Sequence, residues 1–273
     1  MSQYTIFVIP EKIKIPQIAL GTWGIKSEQL VQLIPQAIKI GYRHFDTARK
    51  YSNEDGVGEG IKQSGVSRDE IFITTKLWRT DFLRTGSAFN ASLERLQTDY
   101  IDLYLLHWPF FFWSKAWTDL ERIYKSGKAR SIGVSNFNIK ELETIKKKYQ
   151  ITPAVNQIEF SPFYYQKDLL DYCQENNIQV ESYSPLTRGF RLEDPKLKVI
   201  AQKYQKTVPQ ILIAWVLKHG LVALPKTTSL LHLQQNWDAQ QIELAEADFA
   251  YLNSLNENYS ALSTFWSRRG RPI

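Results

Sequence analysis

The stretch RHFDTARKYSNEDGVGEGIKQSG, residues 43–65, contains the unit from which the fold is read. RHFDTA is a short apolar strand that runs into a polar turn, and NEDGVGEGIKQSG follows as a short helix. Inside HFDTARKYSNE, residues 44–54, Asp46 and Tyr51 stand five positions apart and outside any obvious helical or strand pattern, which marks them as site candidates. Each also has a plain reading taken singly: Asp-Thr often begins a helix cap, and an exposed tyrosine is ordinary. GVGEG at 56–60 has the look of a phosphate loop but the wrong spacing, and it reads as a helix terminus.

Outward from this unit the same alternation recurs. TIFVI, a turn at Pro10-Glu11 and KIKIP form an N-terminal hairpin. QIALGTW is strand, and SEQLVQLIPQAIKIG is helix with Ser27 as its cap and Gly41 as its stop. IFITTKLW leads to a helix over 80–96, IDLYLLHWP to WSKAWTDLERIYKSG, ARSIGVSNF to NIKELETIKKKY, and AVNQIEF to a helix over 167–177. QVESYSP precedes the helices DPKLKVIAQKYQ and VPQILIAWVLKHG. LVALPK is the last strand, and LHLQQNWDAQ and EADFAYLNSLN close the chain as helices. Eight apolar runs, each followed by helix, predict an α/β fold of the (β/α)8 TIM barrel kind, typically ~250 residues, with an N-terminal β-hairpin and extra helices near the C-terminus. The runner-up, a doubly wound sheet, needs a phosphate-binding glycine turn where this chain reads LGTWGIKSEQ.

Composition narrows the function classes. The 273 residues are 43% hydrophobic and 23% charged, with no Pro/Gly/Ser-rich linker, so one domain over 1–273 is expected. The single cysteine, Cys173, lies in the apolar-periodic KDLLDYCQENN and packs most simply as a small hydrophobe. One cysteine rules out an internal disulfide and a cysteine-based metal site, and a reducing cytoplasm is the expectation. No leader precedes Tyr4, and no apolar run approaches the ~18 residues of a membrane span. Net charge +6 and pI 9.2 suit an anionic partner. The basic residues are scattered, apart from Lys146, Lys147, Lys148 and the terminal Arg268, Arg269 and Arg271, which suits small anions rather than nucleic acid.

In such a barrel the chemistry sits where strands end on their carboxyl side. Asp46, Lys76 and His107 end strands two, three and four; Ser135 and Asn136 end strand five, Gln157 lies within strand six, Tyr183 ends strand seven and Lys226 ends strand eight. A tyrosine phenol titrates near ~10, a neighbouring ammonium lowers that value, and a carboxylate holds the ammonium in place. Tyr51, Lys76 and Asp46 supply that chain, and a ring N–H of His107 suits the same substrate oxygen. Singly, Lys76 with Asp46 reads as a structural ion pair and His107 as a core histidine. His44 and Asp46 share a strand face and hint at a metal, but such a centre would draw on more histidines than the four present.

LGTW, DTARKYSNE, ITTKLW, LLHWP, GVSNF, NQIEF, YSPL and LPKTT occur in the order and at the spacing of the aldo-keto reductases, and over essentially its whole length the chain resembles that family. The resemblance implies an NADPH-dependent aldehyde or ketone reductase, cytoplasmic and monomeric. Tyr51 would be the proton donor, tuned by Lys76 and Asp46, and His107 would orient the carbonyl. Ser135, Asn136 and Gln157 would bind the nicotinamide carboxamide and Tyr183 would stack on its ring. Gly21, Thr22, Trp23, Asp46, Ser184, Leu186, Lys226, Thr227, Thr228, His232, Gln235 and Asn236 complete the implied cofactor set. A non-catalytic NADP-binding protein on the same barrel is the rival class, and it has no use for a Tyr-Lys-Asp chain.

The last strand departs from the family pattern. His232 stands where an arginine is common and Gln235 where a glutamate is common, so NADPH affinity should be modest and stronger at low pH, with NADH use possible. Trp23, Tyr51, Trp78, His107 and Trp108 are the expected substrate contacts, with Phe111 and Phe112 packing under their loop. Short segments after His107 and Leu262 imply an open site for small aldehydes, α-dicarbonyls or sugar-like carbonyls. The terminal arginines read as a solvated tail.

Overall fold

The computed structural model describes residues 6–8 and 14–267, so the Pro10-Glu11 turn and the terminal arginines lie outside the described residues. A hairpin of β1 (Ile6–Val8) and β2 (Lys14–Pro16) precedes the repeating part. Then come β3 (Ala19–Gly21), α1 (Ser27–Ile40), β4 (His44–Asp46), α2 (Glu54–Ser64), β5 (Phe72–Leu77) and α3 (Thr85–Leu96). Next are β6 (Ile101–Leu106), α4 (Trp113–Lys125), β7 (Ala129–Ser135), α5 (Ile139–Lys148), β8 (Val155–Glu159) and α6 (Lys167–Glu175). β9 (Gln179–Tyr183) is followed by two helices, α7 (Pro195–Lys203) and α8 (Val208–Lys218), before β10 (Val222–Leu224), α9 (Leu230–Asp238), α10 (Glu246–Asn253) and α11 (Ala261–Ser267).

β3 to β10 form one eight-stranded parallel sheet in sequence order. It closes on itself through a parallel bridge between Ile18 and Ala223, with Gly21 N–H donating to the Pro225 carbonyl at 3.0 Å. The result is the (β/α)8 barrel. Strands such as β6, IDLYLL, are buried at every position because the barrel interior covers one face and the helices cover the other. Inside, Ala19, Leu103, Leu105, Val155, Val222 and Leu224 pack together, and Ile15 of the hairpin joins them. Outside, each helix buries one stripe. α8 is the exception and is buried continuously from Gln210 to Val216. Asn138 with Glu141 and Thr207 with Gln210 form capping boxes that start α5 and α8 at fixed points.

Four local expectations are corrected. Ser27 is the first residue of α1 rather than its cap; Lys26 precedes the helix, and the Ser27 hydroxyl donates to Asp55 at 2.7 Å. The segment after β5 begins as a 3-10 helix over Arg79–Arg84 and becomes α-helical only at Thr85. α11 was not foreseen, since its short run ALSTFWS carries little helical periodicity. GVGEG is the interior of α2, not its end. Its glycines let α2 approach its neighbours: a Cβ on Gly56 would lie 2.5 Å from the Ser27 backbone, and one on Gly58 2.5 Å from the Leu96 carbonyl oxygen.

Gly58→Ala sets two effects against each other. Alanine favours a helix interior by about 1 kcal/mol, while overpacking against rigid backbone costs about 1–3 kcal/mol or more. With backbone atoms at 2.5 and 2.6 Å the clash dominates, so urea unfolding is expected to show net destabilisation. A variant more stable than the parent would contradict this packing.

Candidate active site

The mouth at the carboxyl ends of the strands is assembled by short, heavily bonded loops. Thr22 donates both its N–H and its hydroxyl to the Asp46 carbonyl at 3.0 Å, tying the end of β3 to the end of β4. The chain then makes a single 3-10 turn, Arg49–Tyr51, which ends at Ser52 with φ 56°. Asn53, fully buried, fixes this turn: its amide donates to the carbonyls of Thr22 and Ile25 at 2.9 Å, and Thr47 donates to its side-chain oxygen at 2.8 Å.

Tyr51 is thereby carried back over the strand ends. Lys76, one residue before the end of β5, donates to both Asp46 carboxylate oxygens at 2.7 Å and to the Thr47 carbonyl at 2.8 Å. Its Nζ lies 5.1 Å from the centre of the Tyr51 ring, and the His107 ring stands 5.6 Å from that same ring, edge to face. His107 follows β6 immediately. Four residues separated along the chain thus meet in one place.

Burial is the largest influence on Lys76, Tyr51 and His107. For Lys76 it favours the neutral amine, but Asp46, Tyr51 and Glu181 outweigh it and hold the ammonium above its ordinary pKa. For Tyr51 burial raises the phenol and Lys76 only partly pulls it back, so the expected net lowering is corrected to a net rise. For His107 burial, then the charges of Lys76 and Lys50, push the imidazole well below its usual range. Its Nδ1 is buried without a hydrogen-bond partner among the described residues. An idle lone pair is tolerated there more readily than an idle N–H, which places the single proton of the neutral ring on Nε2. His44 lies deeper, bonded through its two nitrogens to Pro16 and Thr74, and burial takes it down to about 3. Among the described residues no group of three or more His, Cys, Asp or Glu could hold a metal ion.

Beside this cluster lies a row of amides and hydroxyls. Ser135 donates to the Gln157 carbonyl at 2.9 Å; Asn136 donates through Nδ2 to Ser135 and to the His107 carbonyl, and its Oδ1 accepts from the Tyr183 hydroxyl at 2.7 Å. Asn136 and Ser184 hold positive φ, 64° and 50°, where side chains other than glycine are uncommon and strain tends to mark function. Gln157 donates through Nε2 to Asp46 at 2.9 Å and to Glu181 at 2.7 Å. Beyond β10, Lys226 is exposed with no carboxylate partner among the described residues, just ahead of α9, whose first turn Ser229 caps. Thr228 and His232 are exposed there, Gln235 is half-buried, and Thr227 and Asn236 are buried. A free ammonium beside a helix N-terminus at one end and a carboxamide-matching set at the other fit a nicotinamide dinucleotide carrying an extra phosphate.

Trp78 packs against His107 at 5.2 Å and Phe110 at 5.9 Å, with Lys50 and Arg79 over its ring, and Trp108 lies against Phe110. Trp23 packs on Phe265 of α11, and Arg188 lies over both rings. Phe111 and Phe112 are not packed under their loop: they are 93% and 62% exposed, Phe112 at φ 67°. A cavity of about 270 Å³ opens between Trp108, Asn136, Tyr183 and Leu262.

Three residues of the site went unread in sequence: Asn53, Glu159 and Glu181. Glu159 accepts from Ser260 and from the backbone N–H groups of Ala261 and Leu262, docking α11 at the mouth. Strand alternation was the available signal, since Glu159 lies two residues after Gln157 and Glu181 two before Tyr183, on the inward face.

A model of the Aldo/keto reductase family matches residues 17–257. The chain belongs to the aldo/keto reductase family. It is accordingly an NAD(P)H-dependent oxidoreductase of aldehyde or ketone carbonyls. It is 44% identical over 250 residues to the glyoxal reductase of Bacillus subtilis (strain 168), covering 90% of this chain and 91% of that one. Identity to the methylglyoxal reductase of Escherichia coli (strain K12) is 37%, over 94% and 95% of the two chains. Among solved structures, the aldo-keto reductase of Bombyx mori in complex with NADP superposes with TM-score 0.91 at 33% identity, covering 100% and 99%. This reductase contains no helix, among the described residues, long and apolar enough to cross a membrane.

The neutral state of the mouth imidazole is testable directly. His44, His107 and His219, the last taken to about 4 by burial, should keep unprotonated rings through the neutral range. Their imidazole C–H resonances are expected to stay fixed between about pH 5.5 and 8, whereas an unperturbed histidine titrates near ~6.5. A His107 signal that titrates in that window would remove the neutral-donor geometry.

Proposed function

We propose that this reductase uses NADPH to reduce small aldehydes and α-dicarbonyls, with Tyr51 giving the proton to the carbonyl oxygen. The observation that carries the reading is the buried Lys76 ammonium, gripped by both oxygens of Asp46 and set 5.1 Å from the Tyr51 ring, with the His107 ring 5.6 Å from that same ring. When bound, the cofactor supplies the hydride that the carbonyl carbon accepts. His107 donates its Nε2–H to the carbonyl oxygen and aims it at Tyr51. Tyr51 releases its phenolic proton to that oxygen, and Lys76 stabilises the phenolate left behind while Asp46 keeps Lys76 charged and in place. Trp23, Trp78 and Trp108 wall the substrate.

Ser135, Asn136 and Gln157 would hold the carboxamide, Tyr183 would face the ring, and Gly21, Thr22, Trp23, Asp46, Ser184 and Leu186 would line the path between the two ends of the cofactor. Lys226, Thr227, Thr228, His232, Gln235 and Asn236 would take the adenosine end with its 2′-phosphate. The α-dicarbonyl preference draws on the relatives named glyoxal and methylglyoxal reductases. We further propose that residues 1–273 act as one domain, as a cytoplasmic monomer. Nothing observed favours a non-catalytic role.

Tyr51→Phe should reduce turnover of methylglyoxal by about 10²-fold or more, the range for loss of a general acid, with the dissociation constant for NADPH changed little. Equal turnover in variant and parent, followed by loss of NADPH absorbance, would remove Tyr51 from the mechanism. His232→Arg tests the adenosine end. A fixed, bidentate cation should tighten NADPH binding by about tenfold, or 1.4 kcal/mol, without doing so for NADH. Equal effects on both dinucleotides would place His232 away from the phosphate.

A further inference from the structure

Glu181 is a buried acid of this mouth that the proposed reaction does not use. It lies on β9, fully buried, and accepts from Gln157 Nε2 at 2.7 Å through Oε2, while its Oε1 is buried without a partner among the described residues. A buried carboxyl with an idle oxygen is destabilising unless something compensates, so its place in the barrel centre calls for an explanation. The same Nε2 donates its other hydrogen to Asp46 at 2.9 Å. Both amide hydrogens of Gln157 are therefore committed inside the barrel, to two carboxyl groups on different strands, β4 and β9. Two bonds from one nitrogen fix the plane of the amide, where one would leave it free to rotate. Gln157 Oε1 accepts no hydrogen bond among the described residues and is left as the amide's one group for a ligand.

We propose that Glu181 is a positioning residue that locks the Gln157 amide, so that Gln157 meets the nicotinamide carboxamide through its carbonyl oxygen alone. The inference rests on the reading of this mouth as the nicotinamide site. An N–H of the carboxamide then donates to Gln157 Oε1, and a ligand lacking that N–H gains nothing from the lock. Burial, reinforced by Asp46, pushes the Glu181 carboxyl up to about 8, so it is largely uncharged at pH 7 and glutamine is its near isostere.

The experiment titrates parent, Glu181→Leu and Glu181→Gln with three probes by tryptophan fluorescence. NADPH carries the carboxamide, the 3-acetylpyridine analogue of NADPH carries a ketone in its place, and 2′,5′-ADP has no nicotinamide half. In Glu181→Leu the affinity for NADPH is expected to fall by about tenfold, as for one lost, well-made polar contact. The affinities for the acetylpyridine analogue and for 2′,5′-ADP should stay within about twofold of the parent. Glu181→Gln, whose Oε1 accepts the same bond, should restore NADPH binding. Glu181→Ala, which admits a water, repeats the comparison should the leucine variant not fold. Unchanged NADPH affinity in the variants overturns the proposal, and so does an equal loss for all three probes, which would mark a purely structural role. A parent chain that binds 2′,5′-ADP but gains nothing from the nicotinamide half overturns the underlying site reading as well.

Discussion

A fully buried ammonium in the middle of a barrel is the constraint around which the rest of this molecule is arranged. Lys76 has no access to solvent, and an uncompensated charge in that position would cost several kcal/mol. Compensation comes from three acceptors at 2.7 to 2.8 Å, two from the Asp46 carboxylate and one from the Thr47 carbonyl. Asp46 in turn is reached by Gln157, and Gln157 by Glu181, so the charge of one lysine draws in groups from β4, β5, β8 and β9. Removing any one of them leaves a buried polar group without its partner, which is why the strand register must be held: Asp46 beside Gly21 and Thr74, and Gln157 beside Ser135 and Glu181. An error of one residue in β4 would turn Asp46 out of the barrel.

The loops and helices serve that same register. The turn that carries Tyr51 is short and would be mobile by composition. Asn53 removes that freedom with three hydrogen bonds to two different connections. Behind it, α2 presses against α1 and α3 at glycine contacts, which sets how closely the first helices wrap the strands beneath. Elsewhere on the rim Glu159 fastens the start of α11, and the Trp23, Phe265 and Arg188 cluster holds its far end. The mouth thus has one wall made by backbone-anchored turns and another made by a docked helix.

What was readable beforehand follows from this division. Strand ends can be read from the chain because the apolar run stops at a polar residue, and Asp46, Lys76, His107, Ser135 and Tyr183 were read that way, with Gln157 read inside its strand. The order of strands follows from short crossovers. Closeness between non-neighbouring elements is not written in local pattern. The glycines of α2 looked like a helix end because the helices that require them lie at residues 27 and 96. Glu181 and Glu159 were passed over because an isolated carboxylate in an apolar strand resembles a surface residue until its partners are known. The exposure of Phe111 and Phe112 is likewise a property of the neighbouring surface. The direction of the Tyr51 shift was misjudged for a related reason: an ammonium nearby is visible as a motif, whereas the depth of burial that outweighs it is a property of the assembled barrel.

That same balance decides which group serves as the acid in the proposed reaction. His107 and Tyr51 face one another, and either could be drawn as the donor. Burial first, and then the cations at Lys76 and Lys50, leave the imidazole neutral. A neutral ring lends its single N–H to a hydrogen bond but has no proton to release near neutral pH. Tyr51 keeps its proton for a different reason, since burial holds the phenol neutral while the solvent-free ammonium beside it favours the anion once an acceptor arrives. The lysine therefore acts on both neighbours with opposite results, adding to the burial that keeps the imidazole from serving as an acid and favouring the anion that the phenol becomes. A barrel with Lys76 replaced by a neutral side chain would still bury the imidazole but would lose the charge that favours the phenolate, so the role of Tyr51 depends on that ammonium while the neutrality of His107 rests first on burial.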